Sequence, residues 1–356
     1  MEIGSVKSEP GTVSYGHLSV TDLPTGVPEK LPVIIADGNE PGPTLWITGG
    51  IHGDEATGLA VAQDVITDEL PSILAGTVVC MPSLNPAGLR QATRQSYYHN
   101  DDPNRYFPDV EKESTRPPRV QEIINSRIYD EFANSADALI DMHTAQVGSV
   151  PFVIRDRVLY GEHREQSDAT LLADELNNLV NAFDLPIVNE YEAEEYTEKN
   201  LQRSTAGAAL NNAGIPAFTV ELGSHSIVEE DLRQAGVAGC YRTMVELNQL
   251  DSYPRFAPAD DEFPDPVDYA VKRARHPYTE TPGIVRYQVQ AGETVESGDE
   301  VADIVTEHGR HKSTITTDHD GYVLGRYQGI AKYENDPLLS MAVRDEGDLV
   351  VSRENS

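Results

Sequence analysis

Short apolar runs alternate with stretches of helical periodicity between about residues 44 and 250. The apolar runs are typical of buried strands and lie at 44–50, 77–86, 138–143, 151–155 and 217–224. The helical stretches carry apolar residues three and four positions apart and lie at 54–70, 118–136, 169–183, 204–214 and 229–250. Such alternation predicts an α/β fold, with a mainly parallel mixed sheet covered by helices on both faces.

The pattern changes after residue 255. Residues 256–281 are rich in proline and acidic side chains, which interrupt helices and predict a linker. Residues 282–356 contain short alternating strands separated by Gly, Asp and Asn, which predicts a small all-β domain with a barrel-sandwich-like shape. We therefore expect a first domain over residues 1–255, a linker and a small C-terminal β domain.

Three predicted strands end in side chains that bind metals. His52 and Glu55 follow the run at 44–50, His143 closes the run at 138–143, and Glu221 lies near the end of the run at 217–224. Open α/β sheets bind ligands at the carboxyl ends of their strands, so these side chains are expected to meet at one edge.

Two imidazoles and one carboxylate hold a catalytic zinc ion and leave a fourth position for water. We predict that His52, Glu55 and His143 bind one Zn²⁺ per chain. A nearby carboxylate then takes the proton of the water molecule, and Glu221 is the candidate for this general base.

Two further acids lie beside these residues. Asp54 is expected to support the start of the helix that follows it. Asp141 is open to two interpretations, since it could orient the imidazole of His143 or be a partly solvated strand residue.

The segment 85–108 is long and rich in Pro, Asn and Arg, and such segments inside an α/β domain usually carry function. Its arginines include Arg90, Arg94 and Arg105. Beside a metal site, arginines suit carboxylate recognition or the stabilisation of a developing oxyanion. The alternative is that they are solvated and pair with surface carboxylates.

Five motifs in this order resemble the succinylglutamate desuccinylase/aspartoacylase family of zinc carboxypeptidase-like amidohydrolases. They are GGIHGDE (49–55), NPAGLRQATR (85–94), DPNRYFP (102–108), LIDMHTA (139–145) and TVELGS (219–224). The resemblance covers about residues 44 to 250 and implies the zinc carboxypeptidase-like fold. It also implies hydrolysis of the amide bond of an N-acyl amino acid or a similar small N-acylated substrate.

The family's functional residues can be carried over by motif. The resemblance implies that His52, Glu55 and His143 bind zinc, that Glu221 is the catalytic carboxylate, that Arg94 polarises the scissile carbonyl, and that Asn104 and Arg105 bind a substrate carboxylate. Tyr196 and Arg203 are candidates for the group that recognises the acyl chain. The alternative, that they are helix-start and loop residues, is equally supported.

Two other functions compete with this hypothesis. The first is a zinc carboxypeptidase-type peptidase, which would use the same metal and arginines. The second is a carrier or binding module, because VQAGETVESGDEVADI (289–304) resembles a biotinyl or lipoyl domain. The position of the modified lysine in that pattern falls on Arg310, and Lys312 is two residues away, which disfavours a carrier.

The charge of the chain limits its partners. It has 59 acidic and 27 basic residues, a net charge of −32. Such a surface repels polyanions, so we expect a small-molecule substrate and no nucleic acid. The acidity also favours adaptation to high salt (a halophilic protein) over an ordinary acidic enzyme.

Two features concern location. No apolar stretch approaches the roughly 18 residues that span a bilayer, so no membrane is expected. Cys80 and Cys240 are the two cysteines and no export signal is visible, which predicts a reducing, cytoplasmic location. The sequence leaves the formation of a homo-oligomer open.

Overall fold

The computed structural model describes residues 1–109, 116–161, 163–259 and 263–353. Parts of the predicted linker (260–262) and of the predicted β domain (354–356) lie outside the described residues. The strands up to residue 224 are β1 (Glu2–Ile3), β2 (Val6–Lys7), β3 (Thr12–Asp22), β4 (Pro28–Asp37), β5 (Glu40–Gly49), β6 (Ala75–Met81), β7 (Ala138–Ala145), β8 (Phe152–Arg155), β9 (Val158–Tyr160), β10 (Ile187–Asn189) and β11 (Ala217–Ser224).

Helices occupy the intervals between these strands. They are α1 (Ala56–Asp64), α2 (Pro86–Gln91), α3 (Val120–Ala133), α4 (Gln166–Phe183), α5 (Ala193–Glu198), α6 (Thr205–Ala208) and α7 (Glu230–Glu246). The remaining strands are β12 (Val271–Arg275), β13 (Tyr278–Thr279), β14 (Gly283–Tyr287), β15 (Thr294–Val295), β16 (Glu300–Val305), β17 (His311–Thr316), β18 (Gly321–Arg326), β19 (Ala331–Lys332), β20 (Asp336–Pro337), β21 (Leu339–Arg344) and β22 (Val350–Ser352).

One twelve-stranded mixed sheet is the centre of the fold, in the order β15-β18-β21-β12-β10-β8-β11-β7-β5-β6-β4-β3. Strands β11, β7, β5 and β6 run parallel to one another, whereas β8 is antiparallel to β11. Helices α1, α4 and α7 pack together, and α3 packs against β3. The prediction of a mainly parallel mixed sheet covered by helices is confirmed.

Most side chains at the centre of the sheet are apolar and buried, as parallel strands covered on both faces require. Trp46 on β5 has no exposed surface, and its ring meets Phe132 of α3 edge to face at 6.3 Å. Its indole Nε1 donates a hydrogen bond to Ser135 Oγ at 3.1 Å. This burial fixes β5, the strand that leads into the motif of His52 and Glu55.

Two predicted helices are shorter than expected. The helix predicted over 54–70 ends at Asp64, where the β-branched residues Val65, Ile66 and Thr67 lower helix propensity and the first two turn into the core. The helix predicted over 204–214 consists of α6 and a wider turn over Ala209–Ala213. It ends, as expected, at Gly214, which has a φ of +74°.

The predicted C-terminal strand-rich region is present. Strands β15, β18 and β21 extend the central sheet through β12, while β14, β16, β17 and β19 form a second sheet. Strand β12 lies inside the segment predicted as a linker, and the domain borders at residues 255 and 281 stay predictions.

A buried ion pair joins this region to the rest of the chain. Asp345, directly after β21, receives hydrogen bonds from Arg157 Nη2 at 3.0 and 3.2 Å.

None of the helices within the described ranges is long and apolar enough to cross a membrane.

Candidate metal centre and active site

The loop after β5 carries the first two candidate ligands. Gly50 has a φ of +58°, a conformation that glycine adopts without strain. A Cβ on Gly53 would lie 2.0 Å from the backbone carbon of Gly88, so this position requires glycine. The close approach of the two backbones holds His52 and Glu55 at the edge of the sheet, where their exposed fractions are 2% and 3%.

His52, Glu55 and His143 come together as predicted. Their ligand atoms all lie within 4.8 Å of one another. Glu55 lies between the two imidazoles, with His52 Nδ1 2.7 Å from Oε1 and His143 Nδ1 2.7 Å from Oε2. Burial raises the pKa of Glu55, but the two histidines outweigh it and hold this pKa well below its usual value. Two imidazoles and one carboxylate fit the donor set of a catalytic zinc site.

Each imidazole is oriented by a second carboxylate. His143 Nε2 lies 2.7 Å from Asp141 Oδ2, and Thr48 Oγ1 donates to Asp141 Oδ1 at 2.7 Å. On the other side, His52 Nε2 lies 3.1 Å from Asp102 Oδ1. Both histidines therefore turn Nδ1 towards the shared position. Of the two interpretations of Asp141, the orienting one is confirmed, while the role of Asp102 was not predicted, although it precedes Asn104 in the same motif.

Glu221 lies beside this centre. It is on β11, directly opposite His143 of β7 in the strand register. Its Oε2 is buried and has no hydrogen-bond partner among the residues that the structure describes. Burial, with Glu55, raises the pKa of Glu221 against the opposing effect of His143. A buried carboxylate oxygen without a partner, next to candidate metal ligands, is suited to accept a proton.

Arg94 bridges the two carboxylates of the centre. Its Nη1 lies 3.2 Å from Glu55 Oε1 and its Nη2 lies 3.1 Å from Asp102 Oδ2. The side chain is 46% exposed and lines the cavity in front of the metal ligands. This places a permanent positive charge beside the candidate metal position.

Asn104 and Arg105 also line this cavity. The amide oxygen of Asn104 accepts hydrogen bonds from Thr205 N at 2.7 Å and Thr205 Oγ1 at 3.0 Å, which fixes its orientation. Arg105 Nη1 donates to the backbone oxygen of Asn104 at 2.6 Å. Within the described part of the chain, no carboxylate lies within ion-pair distance of the Arg105 guanidinium, which leaves it available to an anion.

The cavity has a volume of about 360 Å³. Its walls include the seven predicted site residues and, from the C-terminal part of the chain, Arg273, Arg275, Tyr327 and Ser340. A cavity at the small end of the range for ligand sites fits a small molecule.

A sequence profile of the succinylglutamate desuccinylase/aspartoacylase catalytic domain matches residues 41–247. The chain belongs to this family. The matched segment contains all seven predicted site residues, and the members of the family are hydrolases that remove acyl groups. The resemblance found in the sequence is thus confirmed.

Solved structures share the fold of the whole chain. A succinylglutamate desuccinylase/aspartoacylase from Rhodobacter sphaeroides has a TM-score of 0.73 at 18% identity, covering 94% of this chain and 96% of its own. The product-bound ectoine utilization protein EutE (DoeB) from Ruegeria pomeroyi has a TM-score of 0.73 at 18% identity, covering 96% and 100%. An aspartoacylase family protein from Mesorhizobium loti has a TM-score of 0.72 at 19% identity, covering 98% and 100%. No curated protein sequence matches the chain.

The sequence left Tyr196 and Arg203 open between acyl recognition and a helix-start or loop role, and predicted that Asp54 supports the start of α1. Tyr196 and Arg203 do not line the cavity: the Tyr196 hydroxyl bonds to Asp156 Oδ2 at 3.1 Å, and Arg203 Nε donates to Phe107 O at 2.9 Å. Asp54 does not cap α1, which begins after Glu55 without a side-chain cap. The carboxylate of Asp54 instead lies 3.8 Å from His225 Nδ1 on the cavity wall.

Sequence reasoning also missed charged residues of the cavity, among them Asp156, Glu190 and Arg273. Asp156 follows β8, Glu190 follows β10 and Arg273 lies on β12. Arg273 Nη1 lies 3.2 Å from Glu190 Oε2. The family match ends at residue 247, so Arg273 lies beyond it. For Asp156, the available signal was its position directly after a predicted strand.

Proposed function

We propose that the chain is a Zn²⁺-dependent amidohydrolase that cleaves the amide bond of an N-acyl amino acid or a similar small N-acylated substrate. The observation that carries this proposal is the buried set of His52, Glu55 and His143 beside the unpartnered oxygen of Glu221. The family match and the small cavity support it. One Zn²⁺ per chain follows from the single group of three ligands found among the described residues.

When bound, zinc lowers the pKa of a water molecule and polarises a carbonyl oxygen. Glu221 takes the proton of the attacking water through its free Oε2 and passes it to the nitrogen of the leaving amine. Arg94 stabilises the negative charge that develops on the carbonyl oxygen. Asn104 and Arg105 hold a carboxylate of the substrate.

A peptidase with the same ligands has less support. The cavity of about 360 Å³ is bounded by residues of β12 and β21. A groove for an extended peptide would need an open wall at this place. The substrate is therefore proposed to be a small molecule, and the cytoplasmic location stays a prediction from the sequence.

Metal analysis and one substitution test the proposal. We expect purified protein to hold about one Zn²⁺ per chain, and Glu221→Gln to keep this zinc while hydrolysis of N-acyl amino acids falls by about 10²- to 10⁴-fold. His52→Ala serves as the contrasting variant, which loses zinc and activity together. Unchanged turnover in Glu221→Gln would remove Glu221 from the mechanism, and full activity without zinc would refute the metal site.

A second variant tests the carboxylate contact. Arg105→Ala should weaken substrates that bear a free carboxylate more than their carboxylate-free amides, because the guanidinium has no other anionic partner among the described residues. Arg90→Ala is the matched control, since Arg90 bonds to Glu29 and does not line the cavity. An equal effect of Arg105→Ala on both substrate types would contradict the assignment.

A further inference from the structure

Two buried carboxylates line the cavity away from the metal ligands. Asp156 is 4% exposed and Glu190 is 2% exposed. We call these two residues the distal acidic pair. They follow strands β8 and β10, which lie beside each other and run parallel. Nothing in the proposed zinc chemistry uses them.

The positive charge around the distal acidic pair is incomplete. Glu190 forms an ion pair with Arg273 and accepts a hydrogen bond from Tyr191 N at 3.0 Å. Asp156 has no cation within ion-pair distance among the described residues. Its Oδ2 accepts a hydrogen bond from Tyr196, while its Oδ1 accepts none within the same part of the chain. A buried acid with one oxygen free in a cavity is a place for a ligand donor.

The distal acidic pair compensates for the missing cation by holding a proton. Burial and the neighbouring Glu190 raise the pKa of Asp156 to about 8, against the weaker influence of Tyr196, Arg273 and Arg105. The groups that act on Asp156 are thus Glu190, Tyr196, Arg273 and Arg105, from four separate segments of the chain. At neutral pH the carboxyl of Asp156 is therefore protonated, and a ligand cation could take the place of this proton.

The strand register gives the distance from the catalytic end. Phe152 lies opposite Glu221 and Ile154 opposite Thr219, so Asp156 continues the same row of side chains. Four residues of strand place Asp156 about 13 Å along the strand direction from the level of Glu221. A group that reaches the pair must be carried on a chain of several carbons, and it differs from the acylated nitrogen.

Arg105 indicates which half of the substrate extends this way. This arginine, proposed to hold the carboxylate of the amino acid, is close enough to Asp156 to lower its pKa, and Glu190 is close enough to Arg105 to raise the pKa of the guanidinium. The distal acidic pair thus lies on the amino acid side of the scissile bond. An acidic side chain would lie beside the Glu190 carboxylate there, and an apolar one would leave Asp156 Oδ1 without a hydrogen bond.

We propose that the distal acidic pair binds an ammonium group at the end of the substrate's side chain, so that the preferred substrates are N-acyl derivatives of diamino acids. This inference rests on the proposed function, in which the scissile amide bond of the substrate lies beside Glu221. It assigns Asp156 and Glu190 to specificity, while Arg273 neutralises one of the two charges.

A comparison of matched substrates tests this specificity. Nα-acetylornithine and Nα-acetylnorleucine have side chains of equal length, and the first ends in an ammonium group. We expect zinc-loaded protein to show a kcat/KM at least about tenfold higher for the ornithine compound, the effect of one charge-assisted hydrogen bond. Asp156→Asn, which keeps the shape and a partner for Tyr196, should reduce this ratio towards one. Asp54→Asn, another acid of the cavity wall, should keep the ratio.

Binding of the free amino acids gives a readout without turnover. At pH 7, titration calorimetry in buffers of different ionisation enthalpy should show that ornithine releases about one proton on binding and norleucine none. Asp156→Asn should abolish this release while its zinc content stays at the wild-type level. A purely structural role of Asp156 would not produce a ligand-specific proton release.

The outcomes separate the two proposals. If no N-acyl amino acid is cleaved but ornithine binds with proton release, the proposed function fails and the ammonium site stands. If the protein cleaves both acetyl substrates equally well, or if Asp156→Asn keeps the wild-type ratio and proton release, the ammonium site is refuted and the hydrolase is not. If the protein binds ornithine no more tightly than norleucine, the ammonium site is also refuted.

Discussion

The ion pair between Arg157 and Asp345 is expected to decide how firmly the C-terminal strands are attached. Both side chains are 1% exposed. Arg157 also donates from Nε to Tyr191 O at 3.1 Å and from Nη1 to Asp348 O at 3.2 Å. Asp345 in turn accepts hydrogen bonds from Asn189 Nδ2 at 2.6 Å and from Gly347 N at 3.0 Å.

Removal of one partner leaves the other charge buried. Asp345→Ala should therefore lower the free energy of unfolding by about 3–5 kcal/mol, the range for a buried ion pair that loses one member. Asp345→Asn keeps the volume and removes the charge, so it shows how much of the loss is electrostatic. Because Tyr191 follows Glu190 of the distal acidic pair, Asp345→Ala should also raise the KM of the substrate.

Urea unfolding followed by tryptophan fluorescence measures this loss. Trp46 is the single tryptophan of the chain and is fully buried. The matched control is Asp64→Ala, which removes one of the two acidic partners of Arg233 at the surface, where the Asp64 side chain is 44% exposed. An exposed pair contributes about 0–1 kcal/mol. If Asp345→Ala costs no more than Asp64→Ala, the argument from burial is wrong.

Three further predictions concern the metal, pH and salt. Asp141→Asn should weaken zinc binding by about 10- to 100-fold, because His143 loses its orienting carboxylate, and competition with a chelator would measure it; unchanged affinity would contradict this role. Between about pH 4 and 8 the folded protein holds a proton on Asp156 that the unfolded chain has lost, so this group lowers the free energy of unfolding as pH rises. Asp156→Asn should reduce that dependence in urea titrations across this range, and an unaltered slope would refute the raised pKa. The net charge of −32 predicts that molar KCl raises the thermal midpoint, and loss of the fold above molar salt would refute adaptation to salt.

Most of the catalytic part could be predicted because its signals are local. Strands β5, β7 and β11 carry short, mostly apolar runs, as buried parallel strands do. The candidate metal ligands follow directly from such strands, and parallel strands bring their carboxyl ends to one edge. The three ligands and Glu221 therefore meet as the sequence indicates. Arg94 and Asn104 do not follow from strand ends and were identified from the family motifs instead.

Other parts of the fold had no local signal. Residues before β5 form the long antiparallel pair β3 and β4, which the sequence analysis did not assign. Strand β12 lies in a segment whose proline and acid content indicated a linker. Its pairing with β10 and β21 is made across a large separation in sequence, and such pairing leaves no periodic pattern in a strand of five residues.

The sequence by itself determined the α/β class, the family and the side chains of the candidate metal centre, because strand patterns and motifs of a few residues encode them. Tertiary structure decided which charges face one another in the cavity. Asp156, Glu190 and Arg273 share no motif, and they lie on or directly after three separate strands. Their protonation and their affinity for a cation depend on burial and on neighbouring charges, which exist only after the chain has packed.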